Sequence, residues 1–230
     1  MKVTLENDQY IVIDDFLDKE VFDKLHLQLD SLAYVPLVYG HDKVYKASCG
    51  DIYKNDKKYW YDKPEKSPKY IQLFMDAVHS AGKNEAKNVI NSDFTNFGML
   101  VHAYRAGAEL SWHIDAMQFK GAYSYYVHKE WSHTWGGNLL LAHPDTTFDV
   151  FTDPGPDIKT EGLYDWSGRT VHWFDTEHER RQVLNPGVGT YVMPLPNRIV
   201  IAKTRVVHHV ERIDQAAGDH FRLSMTGFFE

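Results

Sequence analysis

The 230-residue chain has one cysteine, Cys49, so no disulfide can close within it. A reducing, cytoplasmic setting is the expectation. No apolar run approaches the roughly 20 residues of a membrane-spanning helix. The opening residues, MKVTLENDQY, lack the charged-then-apolar layout of a signal peptide, so no membrane partner is expected. Positive charge is also short. A formal net charge of −7 argues against a surface built to neutralise phosphates, and hence against a nucleic-acid partner. One basic stretch, KNDKKYWYDKPEKSPK at 54–69, is diluted by Asp56, Asp62 and Glu65 and reads as a solvated loop. The absence of internal repeats and low-complexity tracts sets aside solenoids and disordered linkers.

What remains is the composition of a globular chain, 43% hydrophobic and 25% charged, long enough to bury about 70% of its unfolded surface. It reads as a single domain over 1–230. Two excesses stand out, 14% aromatic residues and 13 histidines, and both suit an aromatic-lined pocket with a metal site.

YIVIDDFL (10–17) alternates and is β-branched, as a strand does. DKEVFDKLHLQLDSL (18–32) follows with Asp18 as a candidate N-cap and Val21, Leu25, Leu29 and Leu32 at helical spacing. Residues 33–66 read as loop with short strands. Ser67-Pro68 opens a second helix over 68–81, with Tyr70, Ile71, Phe74, Met75 and Val78 on one face and Gly82 after its end. From 94 the pattern turns to β, with eight strand-like runs: 97–104, 109–117, 121–128, 137–143, 189–195, 197–203, 205–213 and 221–229. Gly107, Gly121, Pro196-Asn197 and Gly218 separate them. A mainly β jelly-roll core over 94–229, with an N-terminal strand and helical buttress over 1–93, accounts for this order. Segment 144–188 interrupts the core. Its Phe148, Phe151, Tyr164, Trp166, Trp173 and Phe174 argue against disorder and for a lid or a small sheet extension.

The stretch GAELSWHIDAMQF (107–119) poses the functional question. Strand side chains alternate, so His113 and Asp115 share one face while Trp112 and Ile114 take the other. A buried imidazole beside a buried carboxylate needs a partner. Either the two satisfy each other, or with a third ligand they hold a cation as a 2-His-1-carboxylate triad, the arrangement suited to Fe(II) with open positions. H-x-D alone is common. The C-terminal quarter supplies more: TRVVHHVERIDQAAGDHFRLSMTGFF carries two histidines before Val210, then Arg222-x-Ser224 on one strand face. A fixed guanidinium fork with an adjacent hydroxyl binds a carboxylate well.

Taken together, these pieces resemble the iron(II)/2-oxoglutarate-dependent oxygenases, in the prolyl-hydroxylase-like branch. YRAGAELSWHIDA resembles the lead into the H-x-D ligands, WGGNLLLAH the small-glycine strand after them, and NRIVIAKTRVVHHV with RLSMTGFF the distal ligand and cosubstrate strands. The resemblance covers about 94–143 and 189–229 well and the first 35 residues loosely. It implies a double-stranded β-helix core, Fe(II) on His113, Asp115 and His208, and 2-oxoglutarate anchored by Arg222 with Ser224 and Tyr104. It also implies O₂-dependent hydroxylation of an unactivated C–H bond. The family pattern selects His208 over His209, and parity agrees, because Val206 and Val210 share a face with His208 while Glu211 shares one with His209. Halogenating members replace the carboxylate with a small residue, so Asp115 favours hydroxylation. Against the family's compact members, 144–188 lengthens the path between ligands, and IDQAAGD reads as a hairpin extension before the last strand.

The long aromatic insertion favours a small amino-acid-like or natural-product substrate; a prolyl-type residue in a peptide is the alternative. A non-enzymatic jelly-roll or cupin-like binding protein is a third reading, which a buried Arg222-x-Ser224 disfavours. His102, His128, His133, His143, His172 and His178 are read as pocket or surface residues. Trp112, Trp131 and Trp135 are read as pocket lining or core.

Overall fold

A computed structural model describes residues 1–36, 48, 49, 52–55, 57–115, 118–144, 146, 163, 164, 170–173 and 187–230, with backbone alone at 48, 49, 111, 163, 164 and 170–173. In chain order the elements are β1 (Lys2–Glu6), β2 (Tyr10–Asp14), α1 (Lys19–Asp30), β3 (Val35–Pro36), β4 (Ser48–Cys49), β5 (Ile52–Lys54), β6 (Tyr59–Trp60) and α2 (Lys69–Lys83). There follow β7 (Gly98–Tyr104), β8 (Glu109–Ile114), β9 (Gly121–Tyr126), β10 (Leu139–Ala142), β11 (Leu163–Tyr164) and β12 (Thr170–Trp173). The last four are β13 (Gly189–Val192), β14 (Ile199–Lys203), β15 (His208–Val210) and β16 (Arg222–Phe229).

Among the described residues the strands form two antiparallel sheets. The larger runs β1-β2-β14-β9-β16-β7-β5-β3, with β6 also on β7; the smaller runs β11-β12-β8-β15-β10-β13, with β4 also on β8. They pack as the two layers of a double-stranded β-helix. The central strands of the larger sheet are covered on both faces, which explains their nearly unbroken apolar runs. On β2, Ile11 and Ile13 turn to one core with the helices, while Tyr10 and Val12 turn to a second core with Leu139, Leu141 and Val210 of the smaller sheet. β16 follows the same rule: Leu223 and Met225 join the helix side, leaving Arg222 and Ser224 for the space between sheets.

Both expected helices form on the outer face. α1 buries Phe22, Leu25 and Leu29, with Val21 and Leu32 partly covered. Asp18 stands at its N-cap, but its side chain makes no capping bond, and its carbonyl accepts from Phe22 N at 2.9 Å. α2 buries Ile71, Phe74, Met75 and Val78. It does not stop before Gly82, as the sequence pattern indicated. The helix continues to Lys83, and Gly82 is a packing residue, since a Cβ there would lie 2.9 Å from the Phe94 ring.

Two other expectations change. β1 was not foreseen, because its residues are all exposed and carry no burial pattern. The segment after β15 is not a hairpin extension. β15 and β16 lie in different sheets, so it is a crossover, turned by a 3₁₀ segment at Gln215–Ala217 that Asp214 caps from Ala216 N at 2.7 Å. The Pro196-Asn197 turn is present, with Asn197 at φ +62°, where its side chain clamps Leu17 N and O at 2.8 Å each. Arg198 then pairs with Asp14 through two nitrogens, 2.5 and 3.0 Å, tying β14 to β2.

Phe74 packs on Phe16, Tyr123 and Tyr125 with no exposed surface. Phe74→Ala is expected to remove about 3–5 kcal/mol of stability, read from urea unfolding midpoints. His128 is buried, and burial holds its pKa down to about 4 despite a 2.6 Å bond to Pro194 O. A depressed base contributes fully above its unfolded value near 6.5 and loses that contribution as pH falls toward about 4. Stability is therefore expected to fall across that window, by up to roughly 3 kcal/mol from this group. His128→Gln is expected to flatten the slope; an unchanged slope in urea melts at pH 7, 5.5 and 4.5 would refute the assignment.

Candidate metal and cosubstrate site

β8 and β15 pair so that His113 lies opposite His208 and Leu110 opposite Val210. Three steps on β8 thus match two on β15, which is a bulge, the irregularity that re-aims side chains beside active sites. Without it Leu110 and His113 would point to opposite faces; with it both line the space between the sheets. Asp115, just past the end of β8, falls on the same side.

The rings of His113 and His208 approach to 4.0 Å between centroids. The Nδ1 of His208 lies 2.8 Å from Val206 O, which fixes it as the donor and leaves Nε2 toward Asp115 Oδ2 at 3.8 Å. That is too long for a hydrogen bond. One ligand atom from each of His113, Asp115 and His208 lies within 4.8 Å of the others. Burial raises the Asp115 pKa, and His208 opposes this only in part. A desolvated carboxylate held near two imidazoles, yet not hydrogen-bonded to His208, fits a cation better than a self-satisfied pair. His209 takes the other face, its ring 5.2 Å from that of Trp112, as parity required.

Arg222 is 2% exposed. Its Nε donates to Gly137 O at 2.8 Å, and its guanidinium lies 5.3 Å from the Tyr104 ring and 4.8 Å from the Tyr126 ring. Such a cation is stabilised by the ring faces while its terminal N–H groups remain for a ligand. Among the described residues no carboxylate pairs with it and Asp115 is the single acid lining the cavity, which holds about 140 Å³. Ser224, fully buried, has a hydroxyl with no partner among the described residues. Tyr104 lies directly opposite Arg222 in the ladder, and burial raises its pKa, opposed by the Arg222 charge. The donor set suits a dicarboxylate whose far end meets Arg222.

Sequence reasoning missed three supports of this anchor. Tyr126 shares its strand face with Ser124 and Ala122, a signal that alternation along β9 carried. Gly136 and Gly137, at φ +62° and +69°, turn the chain so that the Gly137 carbonyl meets Arg222; a Cβ on Gly137 would lie 3.1 Å from Arg222 Cδ. Trp131 donates to Gly136 O at 2.9 Å and packs against Trp135, so the pair buttresses this turn rather than lining the pocket. His102 lines the cavity and His128 belongs to the core. Most of 144–188, including His178, Phe148, Phe151, Trp166 and Phe174, lies outside the described residues. The described part adds β11 and β12, with β12 pairing β8 so that Trp173 sits opposite His113.

No curated protein matches the chain in sequence. Solved structures share its fold. A Pseudomonas putida prolyl-4-hydroxylase matches with TM-score 0.57 at 15% identity, over 97% of this chain and 93% of its own. A Trichoplax adhaerens prolyl hydroxylase, in complex with a hypoxia inducible factor oxygen degradation domain peptide fragment, gives 0.57 at 15%, over 97% and 84%. HygX from Streptomyces hygroscopicus, solved with nickel, 2-oxoglutarate and hygromycin B, gives 0.54 at 11%, over 96% and 83%. Among the described residues no helix is long and apolar enough to cross a membrane. The family model for the 2OG-Fe(II) oxygenase superfamily matches residues 99–230, more than half of the chain and the stretch that carries the triad and Arg222, and the protein belongs to that superfamily.

Proposed function

We propose that this oxygenase holds Fe(II) on His113, Asp115 and His208 and 2-oxoglutarate on Arg222, Ser224 and Tyr104, and that it hydroxylates a small amino-acid-like or natural-product substrate. The observation that carries the ligand assignment is the three-residue cluster itself, with His208 brought opposite His113 and its Nε2 facing Asp115. Bound Fe(II), 2-oxoglutarate and O₂ supply the oxidising chemistry, with 2-oxoglutarate ending as succinate and CO₂. The residues of the chain do the rest. Val206 O holds the His208 ring by its Nδ1, so Nε2 is the ligating nitrogen. Gly137 O and the two tyrosine rings keep the Arg222 fork aimed into the cavity. Leu110, Leu139 and Val210 exclude water around the reacting end. The retained carboxylate of Asp115 supports hydroxylation rather than halogenation.

The small substrate is supported by the aromatic-rich segment 144–188, of which β12 extends the sheet wall at His113. A peptide substrate is the outcome to test against it. Turnover of 2-oxoglutarate stimulated by small amines or amino acids, and not by proline-containing peptides, is expected; the reverse pattern would favour the peptide.

The ligand set is tested by anaerobic visible spectroscopy of the Fe(II) protein with 2-oxoglutarate. A weak charge-transfer band is expected in the wild type and in His209→Ala, and none in His208→Ala. A band that survives in His208→Ala would overturn the assignment. Arg222→Ala is expected to keep Fe(II) binding and to weaken 2-oxoglutarate by about ten- to a hundredfold, the loss of a charge-assisted pair. Asp115→Ala is expected to abolish substrate oxidation, read as product formation by mass spectrometry.

A further inference from the structure

His102 was set aside from the sequence as one histidine among many, and nothing in the iron and Arg222 assignments uses it. Its place in the fold is specific. In the β7–β16 ladder Arg222 faces Tyr104, Ser224 faces His102 and Thr226 faces Leu100. Residues directly opposite on one sheet face have Cβ atoms about 5 Å apart, so His102 stands beside the unpartnered Ser224 hydroxyl. All of these residues line the one cavity. His102 is 9% exposed, and its Nδ1 lies 3.1 Å from Thr226 Oγ1. Its Nε2 forms no hydrogen bond among the described residues.

A neutral imidazole carries one N–H, and the group bonded to the other nitrogen decides where it sits. Thr226 can donate to Nδ1, which places the proton on Nε2. The surroundings favour that choice. The Arg222 fork, the Tyr104 hydroxyl and the Ser224 hydroxyl all offer hydrogens to the same space, and an Nε2 lone pair there would repel the carboxylate they attract.

We propose that His102 is a positioning residue for the cosubstrate: as the neutral Nε2–H tautomer, set by Thr226, it donates to a carboxylate oxygen of bound 2-oxoglutarate beside Ser224. The inference rests on the reading of Arg222 as the 2-oxoglutarate anchor. Burial, with the nearby Lys54 and Arg222 charges, holds the His102 pKa down to about 4, so the ring is neutral at pH 7. A neutral donor suits this place. A charged imidazolium beside Arg222 would need a second buried anion, and among the described residues the only acid lining the cavity is Asp115. The constellation is selective for a 2-oxo acid with a second carboxylate, since a monocarboxylate would leave Arg222, Ser224 and His102 desolvated without an acceptor.

The experiment measures the dissociation constant of 2-oxoglutarate by anaerobic titration of the Fe(II) enzyme, for wild type, His102→Leu, His102→Gln, Thr226→Val and Arg222→Leu. In parallel, ¹⁵N NMR of histidine-labelled, Zn(II)-loaded enzyme reads the His102 tautomer with 2-oxoglutarate bound. Loss of one hydrogen bond to a carboxylate predicts binding about tenfold weaker or more in His102→Leu. Partial rescue is expected in His102→Gln, along with a smaller loss in Thr226→Val and an Nε2–H signal. Unchanged affinity in His102→Leu with weakened affinity in Arg222→Leu overturns this inference and leaves the anchor standing. Unchanged affinity in both sinks the anchor reading and the inference with it. An Nδ1–H tautomer in the complex also overturns the proposal. Should His102→Leu fail to fold, the isosteric Thr226→Val and the wild-type tautomer decide.

Discussion

The ladder between β8 and β15 is the constraint on which the site depends. It pairs His113 with His208 and, through one extra residue on β8, turns His113 inward on the same side as Leu110. Two imidazoles and a carboxylate brought this close in a desolvated place do not assemble on their own account. The carboxylate loses hydration, and at 3.8 Å it makes no hydrogen bond with His208. Backbone hydrogen bonds of the sheet, repeated on the far side by β10 against β15, hold the groups where their own interactions would not. A cation supplied to that cluster recovers the missing favourable term, which is why a donor set of this kind reads as a metal site.

The larger sheet answers a second demand, that of burying a guanidinium with no carboxylate beside it among the described residues. Desolvating an unpaired charge is expensive, and two features reduce the expense here. The tyrosine faces of Tyr104 and Tyr126 and the carbonyl of Gly137 give the cation partial partners without neutralising it. The remaining cost falls on a sheet that is packed on both sides, with α1 and α2 filling its outer face around Phe74 and Phe94. The helices pack on the face of that sheet away from Arg222, and Phe74 of α2 meets Tyr123 of β9, which also lines the cavity.

How much of this was legible in the sequence follows from what a local pattern encodes. Strand parity placed His113 with Asp115, separated His208 from His209, and put Arg222 with Ser224 on one face, because alternation is a property of each strand alone. The two helix stripes were legible for the same reason. Pairing is not a local property. Nothing in IDQAAGD says that β15 and β16 belong to different sheets, so a crossover read as a hairpin. The β8 bulge is visible only against the register of β15, and β1 has no buried residue to reveal it. Gly82 illustrates a related failure: glycine at a helix end signals a cap, but here it makes room for Phe94. His102, Tyr126 and Gly137 went unrecognised because their roles come from what lies across a ladder or a turn.

The two sheets divide the work. The cluster of His113, Asp115 and His208 stands on β8, just past its end, and on β15 of the smaller sheet, and Arg222, Ser224 and Tyr104 stand on β16 and β7 of the larger. A ligand joining them bridges the gap between packed sheets, about 10 Å, and the small side chains of Ala122 and Ser124 keep that gap open. Inter-sheet packing, a property of the whole fold, therefore sets the distance between these two groups of residues. At the outer edge of β8, β12 pairs with His113 and Ile114, and β11 pairs with β12. A fold shared with oxygenases at 10–15% identity is what this division permits. The ladder that joins β12 to β8 meets this frame at His113, one of the three clustered residues.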